Sequence, residues 1–143
     1  MTTNVEDRLR RLEDAEQIRD LLMAYGRTLD DRDMEAYSAL FASDGEWLGP
    51  FVGAARGPAG ILQLMRENLG PAPKGSHHLM TNMVVSSDGD RGTASSRWTY
   101  VVPAESGGPA LAISGRYEDE LVREDGHWRF RARRVSGDLA IPM

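Results

Sequence analysis

Apolar positions in the N-terminal part of the chain fall at helical spacing. Leu9, Leu12, Ile18, Leu22, Tyr25 and Leu29 recur at intervals of three, four or their multiples, and Glu6, Asp7, Arg10, Arg11, Glu13 and Asp14 take the other side. The pattern predicts one long amphipathic helix from Val5 to about Leu29, weakened in its last turn by Gly26. Asp33 then reads as the N-cap of a short helix, Met34 to Phe41, with Tyr37, Leu40 and Phe41 as its apolar side. Ser43-Asp44-Gly45 reads as a turn, Glu46–Leu48 as a short strand and Gly49–Gly57 as a loop. Pro58 opens a third helix marked by Ile61, Leu62, Leu64, Met65 and Leu69, and Gly70-Pro71 stops it.

Beyond Pro71 the period changes. Ser76–Ser87, Thr93–Val102, Leu111–Arg123 and Trp128–Ser136 read as strands. Asp88-Gly89-Asp90, Ser106-Gly107-Gly108-Pro109 and Glu124-Asp125-Gly126 supply the hairpin turns between them. Helices first and strands last is the α+β pattern: three N-terminal helices on one face of a curved, mostly antiparallel sheet. Strand alternation puts His78, Met80, Asn82 and Val84 on one face, and His77, Leu79, Thr81 and Met83 on the other. In the later strands Trp98, Tyr100 and Val102 share a face, as do Trp128, Phe130, Ala132 and Arg134. Since the face rich in large aromatics is the packed one, Arg134 is expected inside and Arg129, Arg131 and Arg133 outside. A bulge would invert this parity.

A chain of 143 residues suits one domain with one core. The net charge of −5, with no basic block longer than Arg133-Arg134, argues against nucleic acid as the main partner. The absence of cysteine excludes disulfides and thiolate zinc sites. The N-terminus is polar, and no apolar run reaches membrane-spanning length. The expectation is a soluble, cytoplasmic protein without a membrane partner.

Within that frame few residues can carry chemistry. Histidine is the side chain best suited to proton transfer near neutral pH, and His78 and His77 sit on opposite faces of one strand, so only one enters the sheet's cavity. A histidine merely hydrogen-bonded at a strand start is the structural alternative. Asp30, Asp31 and Asp33 lie at a helix junction, where acids commonly cap and turn the chain; either Asp30 or Asp31 could instead reach under the helix to orient a histidine. Tyr25 is a core residue by position, with a hydroxyl that could donate to a ligand. Trp47, Phe51, Met65, Met80 and Trp98 could line an apolar pocket or simply pack the core. An inward Arg134 would need a partner, which a pocket carboxylate or a ligand could supply. No spacing indicates a metal site, a phosphate-binding glycine loop or a Gly-x-Ser-x-Gly nucleophile.

Ile18-Arg-Asp-Leu-Leu, Leu29-Asp-Asp-Arg-Asp33, Leu40-Phe-Ala-Ser-Asp-Gly-Glu-Trp47, His78-Leu-Met-Thr-Asn82, Gly115-Arg-Tyr-Glu-Asp-Glu120 and Gly126-His-Trp-Arg-Phe130 run along almost the whole chain. Together they resemble the SnoaL-like group of the nuclear-transport-factor-2-like superfamily. The resemblance implies a cone-shaped α+β barrel. It also implies chemistry found in the group's dehydratases and dehydrochlorinases: a histidine–aspartate pair in an apolar pocket, without cofactor or metal, abstracts a proton and expels a leaving group. Carried onto this chain, the pair is His78 and Asp30. Tyr25 takes the place of a substrate-polarising tyrosine, Trp47 that of a pocket tryptophan, and Arg134 lies on a strand that supplies an arginine in some members. Phe51, Met65, Met80, Asn82 and Trp98 complete the expected substrate site. The expected function is a cofactor-independent lyase or isomerase (dehydration, isomerisation or cyclisation) acting on a small apolar or polycyclic molecule. The alternative is a non-catalytic hydrophobic-ligand binder or interaction module of the same fold. Outward Leu79, Met83 and Val85 would favour a sheet-to-sheet homodimer in either case, and the tail from Gly137 to Met143 could cap the cavity.

Overall fold

The structure, a computed structural model, describes residues 4–50 and 52–140. Helix α1 spans Val5–Asp30, capped by the Asn4 side chain, which accepts from the Asp7 amide at 2.8 Å. Helix α2, Met34–Ser38, is capped by Asp33 as expected but ends sooner, because Phe41 already belongs to strand β1, Phe41–Gly49. The expected turn at Ser43–Gly45 lies inside that strand as an irregularity between Phe41 and Glu46. Gly45 is required there, since a Cβ would stand 2.6 Å from the Phe130 carbonyl oxygen. The expected loop contains a short strand, β2 (Gly53–Arg56), before helix α3, Gly57–Asn68. Strands β3 (His77–Asp88), β4 (Arg91–Pro103), β5 (Pro109–Glu124) and β6 (His127–Ala140) follow. The three helices pack on one curved, six-stranded, mostly antiparallel sheet of order β2-β1-β6-β5-β4-β3, in which β1 and β6 run parallel.

Local chemistry explains the hairpins. Asp125 and Gly126 both have positive φ, 54° and 78°, between paired Glu124 and His127, which is the two-residue turn that Asp-Gly favours. The sheet's inner face is a ladder of cross-strand rows. His78–Tyr100–Ile113–Ala140 forms one row, Met80–Trp98–Gly115–Gly137 the next, and Val85–Ala94–Asp119–Arg133 a deeper one. Ile18, Leu22 and Tyr25 of α1 close over this face and meet Tyr37, Phe41, Trp47, Ile61, Met65, Tyr117, Trp128 and Phe130 in the core.

Two bulges correct the expected faces. In β3, Thr81 pairs with Arg97 but Val84 with Ser95, so Asn82 and Met83 oppose one residue, and Asn82 takes a positive φ of 53°. Beyond it the parity flips. Met83 and Val85 pack against the core, Val84 faces outward, and Asn82 is exposed rather than part of an inner site. In β6, Phe130 pairs with Leu121 but Ala132 with Glu120, leaving Arg131 as the extra residue. Arg133 therefore points inward, fully buried, and Arg134 is exposed, the reverse of expectation. Residues 137–140 are not a loose cap but the end of β6, while 141–143 lie outside the described residues.

Candidate active site

Gly26 sets the position of the site. A Cβ at Gly26 would lie 3.2 Å from Met80 Cγ, so the missing side chain lets α1 rest directly on β3. One helical turn further on is Asp30, the last residue of α1; two residues back along β3, on the same face, is His78. The contact between Gly26 and Met80 thus brings Asp30 against His78. Asp31, the C-cap residue, takes no part.

The Asp30 carboxylate is held by three contacts from one residue. His78 Nδ1 lies 2.6 Å from Oδ1, and the His78 backbone amide donates to both carboxylate oxygens at 3.1 Å. A carboxylate acceptor at Nδ1 fixes the proton there and leaves Nε2 with its lone pair. Burial lowers the His78 pKa from its ordinary value, opposed by the hydrogen bond and charge of Asp30 and assisted by Arg32 and His77. The ring is therefore neutral at neutral pH, with a basic nitrogen free. His77, by contrast, is exposed, its Nδ1 near the Gly75 carbonyl.

Around the ring stand Tyr100, at 4.5 Å between centroids, and Trp98, at 6.0 Å. Tyr117 continues the series beside Trp98. Arg133 lies over the faces of Tyr117, Tyr25 and Phe130, its guanidinium carbon 3.6, 4.1 and 4.5 Å from the ring centroids. Asp119 accepts from it at 2.8 and 3.2 Å. Burial works against the Arg133 cation, but Asp119 and the surrounding tyrosine oxygens outweigh it and hold the group charged. Its Nη1 has no partner.

The expected residues thus divide. Asp30 and His78 meet. Met80 and Trp98 sit in the row next to His78, and Trp47 and Met65 are buried in the core. Tyr25 is buried, its hydroxyl accepting from Tyr37 at 2.7 Å and from the Trp47 indole at 2.9 Å, and burial raises its pKa. No ring contact joins Tyr25 to His78 among the described residues; Tyr117 and Trp98 lie between. Asn82 and Arg134 are outside, for the bulge reasons above, and Phe51 lies outside the described residues. Tyr100, Tyr117, Asp119 and Arg133 were not anticipated as site residues. Tyr100 could have been, because it shares the Trp98 face; nothing in the Arg129–Arg134 run marks the bulge that turns Arg133 inward. Among the described residues no three His, Asp or Glu side chains gather as metal ligands, and no helix is long and apolar enough to cross a membrane.

A cone-shaped α+β sheet with a buried aspartate–histidine pair on its inner wall is the class that fold and site define together. The SnoaL-like domain matches residues 10–134, and the chain belongs to that family. It is 27% identical over 138 residues to the gamma-hexachlorocyclohexane dehydrochlorinase of Sphingobium indicum, covering 94% of this chain and 87% of that protein. Among solved structures, a nuclear-transport-factor-2-like protein with a cystatin-like fold from Novosphingobium aromaticivorans superposes with a TM-score of 0.80 at 30% identity, over 94% of this chain and 88% of that one. LinA superposes with a TM-score of 0.79 at 25% identity, over 92% and 90%.

Proposed function

We propose that the chain is a lyase or isomerase that needs no cofactor, acts on a small, mostly apolar molecule, and uses His78 as its general base. The 2.6 Å contact between His78 Nδ1 and Asp30 Oδ1 carries this reading, because it leaves a neutral imidazole with Nε2 free to take a proton. The family relationship supports it at a coarse level, since the Sphingobium relative is a dehydrochlorinase, an enzyme of elimination.

In the elimination, Nε2 removes a proton from a substrate carbon. The C–H electrons form a C=C bond as the neighbouring leaving group departs with its bonding pair. In an isomerisation the same electrons shift toward an adjacent unsaturated group and the proton returns at another carbon. Asp30 stabilises the imidazolium that forms and keeps its ring oriented. The unpartnered Nη1 of Arg133 can hydrogen-bond the negative charge that develops. One positioned base contributes roughly 10²–10⁴-fold. His78→Ala and Asp30→Asn should therefore each remove most turnover in a screen of β-halo and β-hydroxy carbonyl rings and halogenated rings, with unchanged circular dichroism. Near-wild-type turnover by either variant rejects the mechanism.

One observation favours a second reading, a non-catalytic ligand-binding or interaction module. The surface recesses of the described residues, such as the one of about 420 Å³ between Arg32, Met34, Met65 and Leu69, do not include His78. Saturable binding of a hydrophobic molecule without turnover by any substrate in the screen would support it.

A further inference from the structure

Four buried side-chain polar atoms among the described residues have no hydrogen-bond partner: Ser96 Oγ, Trp98 Nε1, Arg129 Nε and Arg133 Nη1. Buried donors are nearly always satisfied, so each one left over calls for an explanation. Two of them, Ser96 and Trp98, are neighbours on the inner face of β4. They flank the same residue of the next strand: Ser96 pairs with Tyr117, and the Trp98 ring stacks beside the Tyr117 ring at 5.9 Å.

The strand opposite is cut away to make room for the indole. Trp98 pairs with Gly115, and Gly115 with Gly137. A Cβ on Gly115 would stand 2.9 Å from Trp98 Cε2, the ring carbon bonded to Nε1. The polar edge of the indole therefore lies over backbone, and neither glycine supplies a side chain to accept its hydrogen. Only 4% of Trp98 is exposed, and its ring is 6.0 Å from His78.

A molecule bound against His78 meets this edge. If it were a pure hydrocarbon or halocarbon, both donors would stay unsatisfied, because covalent chlorine is a poor acceptor. A site carrying unsatisfied buried donors discriminates strongly for ligands that supply the acceptor. We infer that the Trp98 indole N–H, with the Ser96 hydroxyl beside it, hydrogen-bonds a substrate oxygen. The substrate of the Asp30–His78 pair is then an oxygenated ring, a cyclic ketone or its hydroxylated precursor, rather than a purely halogenated hydrocarbon. This assignment rests on the proposed function and narrows it. It also gives the step its electron sink: a carbonyl next to the reacting C–H takes up the electron pair as His78 takes the proton, and the enolate oxygen is the atom Trp98 faces.

The test uses ¹⁵N-labelled His78→Gln protein, which cannot turn substrate over, with the Trp98 indole signal assigned by Trp98→Phe. Cyclohexanone and chlorocyclohexane, similar in size, are titrated in parallel. The expected result is a saturable downfield shift of the Trp98 indole proton with cyclohexanone alone, and a preference for the ketone of roughly tenfold or more. Trp98→Phe should abolish the preference and leave chlorocyclohexane binding within about twofold. Equal affinities in the parent, a preference that survives in Trp98→Phe, or a Trp98 indole signal that ignores the ketone would each overturn the assignment; in the last case ordered water satisfies the donor. The indole shift is read in protein carrying Trp98, so the assignment stays falsifiable if Trp98→Phe fails to fold. Because no turnover is measured, failure here leaves the role of His78 standing, and loss of that role leaves this result standing.

Discussion

Removing Asp119 should be the most damaging single change on the inner wall of the sheet. The side chains of Asp119 and Arg133 are both fully shielded from solvent, and two hydrogen bonds of 2.8 and 3.2 Å join them. Asp119→Ala would leave a guanidinium in the core with only the faces of Tyr25, Tyr117 and Phe130 for company. Leaving a buried charge without its partner costs about 3–5 kcal/mol. The aromatic faces recover roughly 1–2 kcal/mol at most, and already do so in the wild type, so they do not reduce the difference. With a urea m-value of about 2 kcal/mol/M for a domain of this size, the unfolding midpoint should fall by roughly 1.5–2.5 M. The double variant Asp119→Leu with Arg133→Met, which removes both charges and keeps the volume, should recover most of the loss. Urea melts followed by tryptophan fluorescence measure all three proteins. A loss below about 1 kcal/mol in Asp119→Ala, or a double variant as unstable as the sum of the single ones, would refute the reasoning.

Other outcomes follow from the same geometry. Because the folded His78 pKa lies below its ordinary 6.5, the unfolded chain binds more protons between the two values. Stability should therefore be full above pH 6.5 and decline as pH falls through the folded value, and His78→Gln should remove that part of the slope in melts at constant ionic strength. Gly26→Ala should be tolerated within about 1 kcal/mol, since Met80 is flexible and alanine favours the helix. Gly26→Leu should push α1 from β3 and lower kcat at least about tenfold, with His78 no longer coupled to Asp30 by NMR. On the outer face Leu79 and Leu139 share the cross-strand row Leu79–Thr99–Ser114–Leu139, with exposed Val84 and Leu111 nearby. We propose that this face pairs two copies of the chain; sedimentation at micromolar concentration should show a dimer that Leu79→Glu dissociates, and a wild-type monomer would reject the pairing.

Patterning carried far into this fold, and its failures have physical causes. The long helix announces itself because its apolar stripe holds the 3.6 period from Leu9 to Leu29. The hairpin at Asp125-Gly126 is equally plain, since few other residue pairs adopt two successive positive φ values. His78 faces inward as alternation required, because no bulge intervenes between it and Trp98's partner Met80. Arg133 was hidden for the opposite reason. One extra residue, Arg131, inverts the end of β6, and an arginine run has no local signature of a bulge. Asn82 did carry a signal, its tolerance of positive φ, but a strand-like neighbourhood masked it. The parallel pairing of β1 with β6 is a contact between distant segments, beyond the reach of local periodicity. The meeting of Asp30 with His78 needed both the helix end and the missing Cβ of Gly26; residue types alone left Asp30 and Asp31 equivalent.

The decisive measurement is a ¹⁵N NMR titration of the histidine rings in wild type and in Asp30→Asn, with His78→Gln for assignment. In the wild type, His78 should carry its proton on Nδ1 and titrate below the ordinary histidine value. In Asp30→Asn its midpoint should fall further, because the hydrogen bond and the charge that raise it are both lost. A His78 ring that titrates like a free imidazole, with mixed tautomers and no response to Asp30, would contradict the paired base on which the proposed chemistry depends.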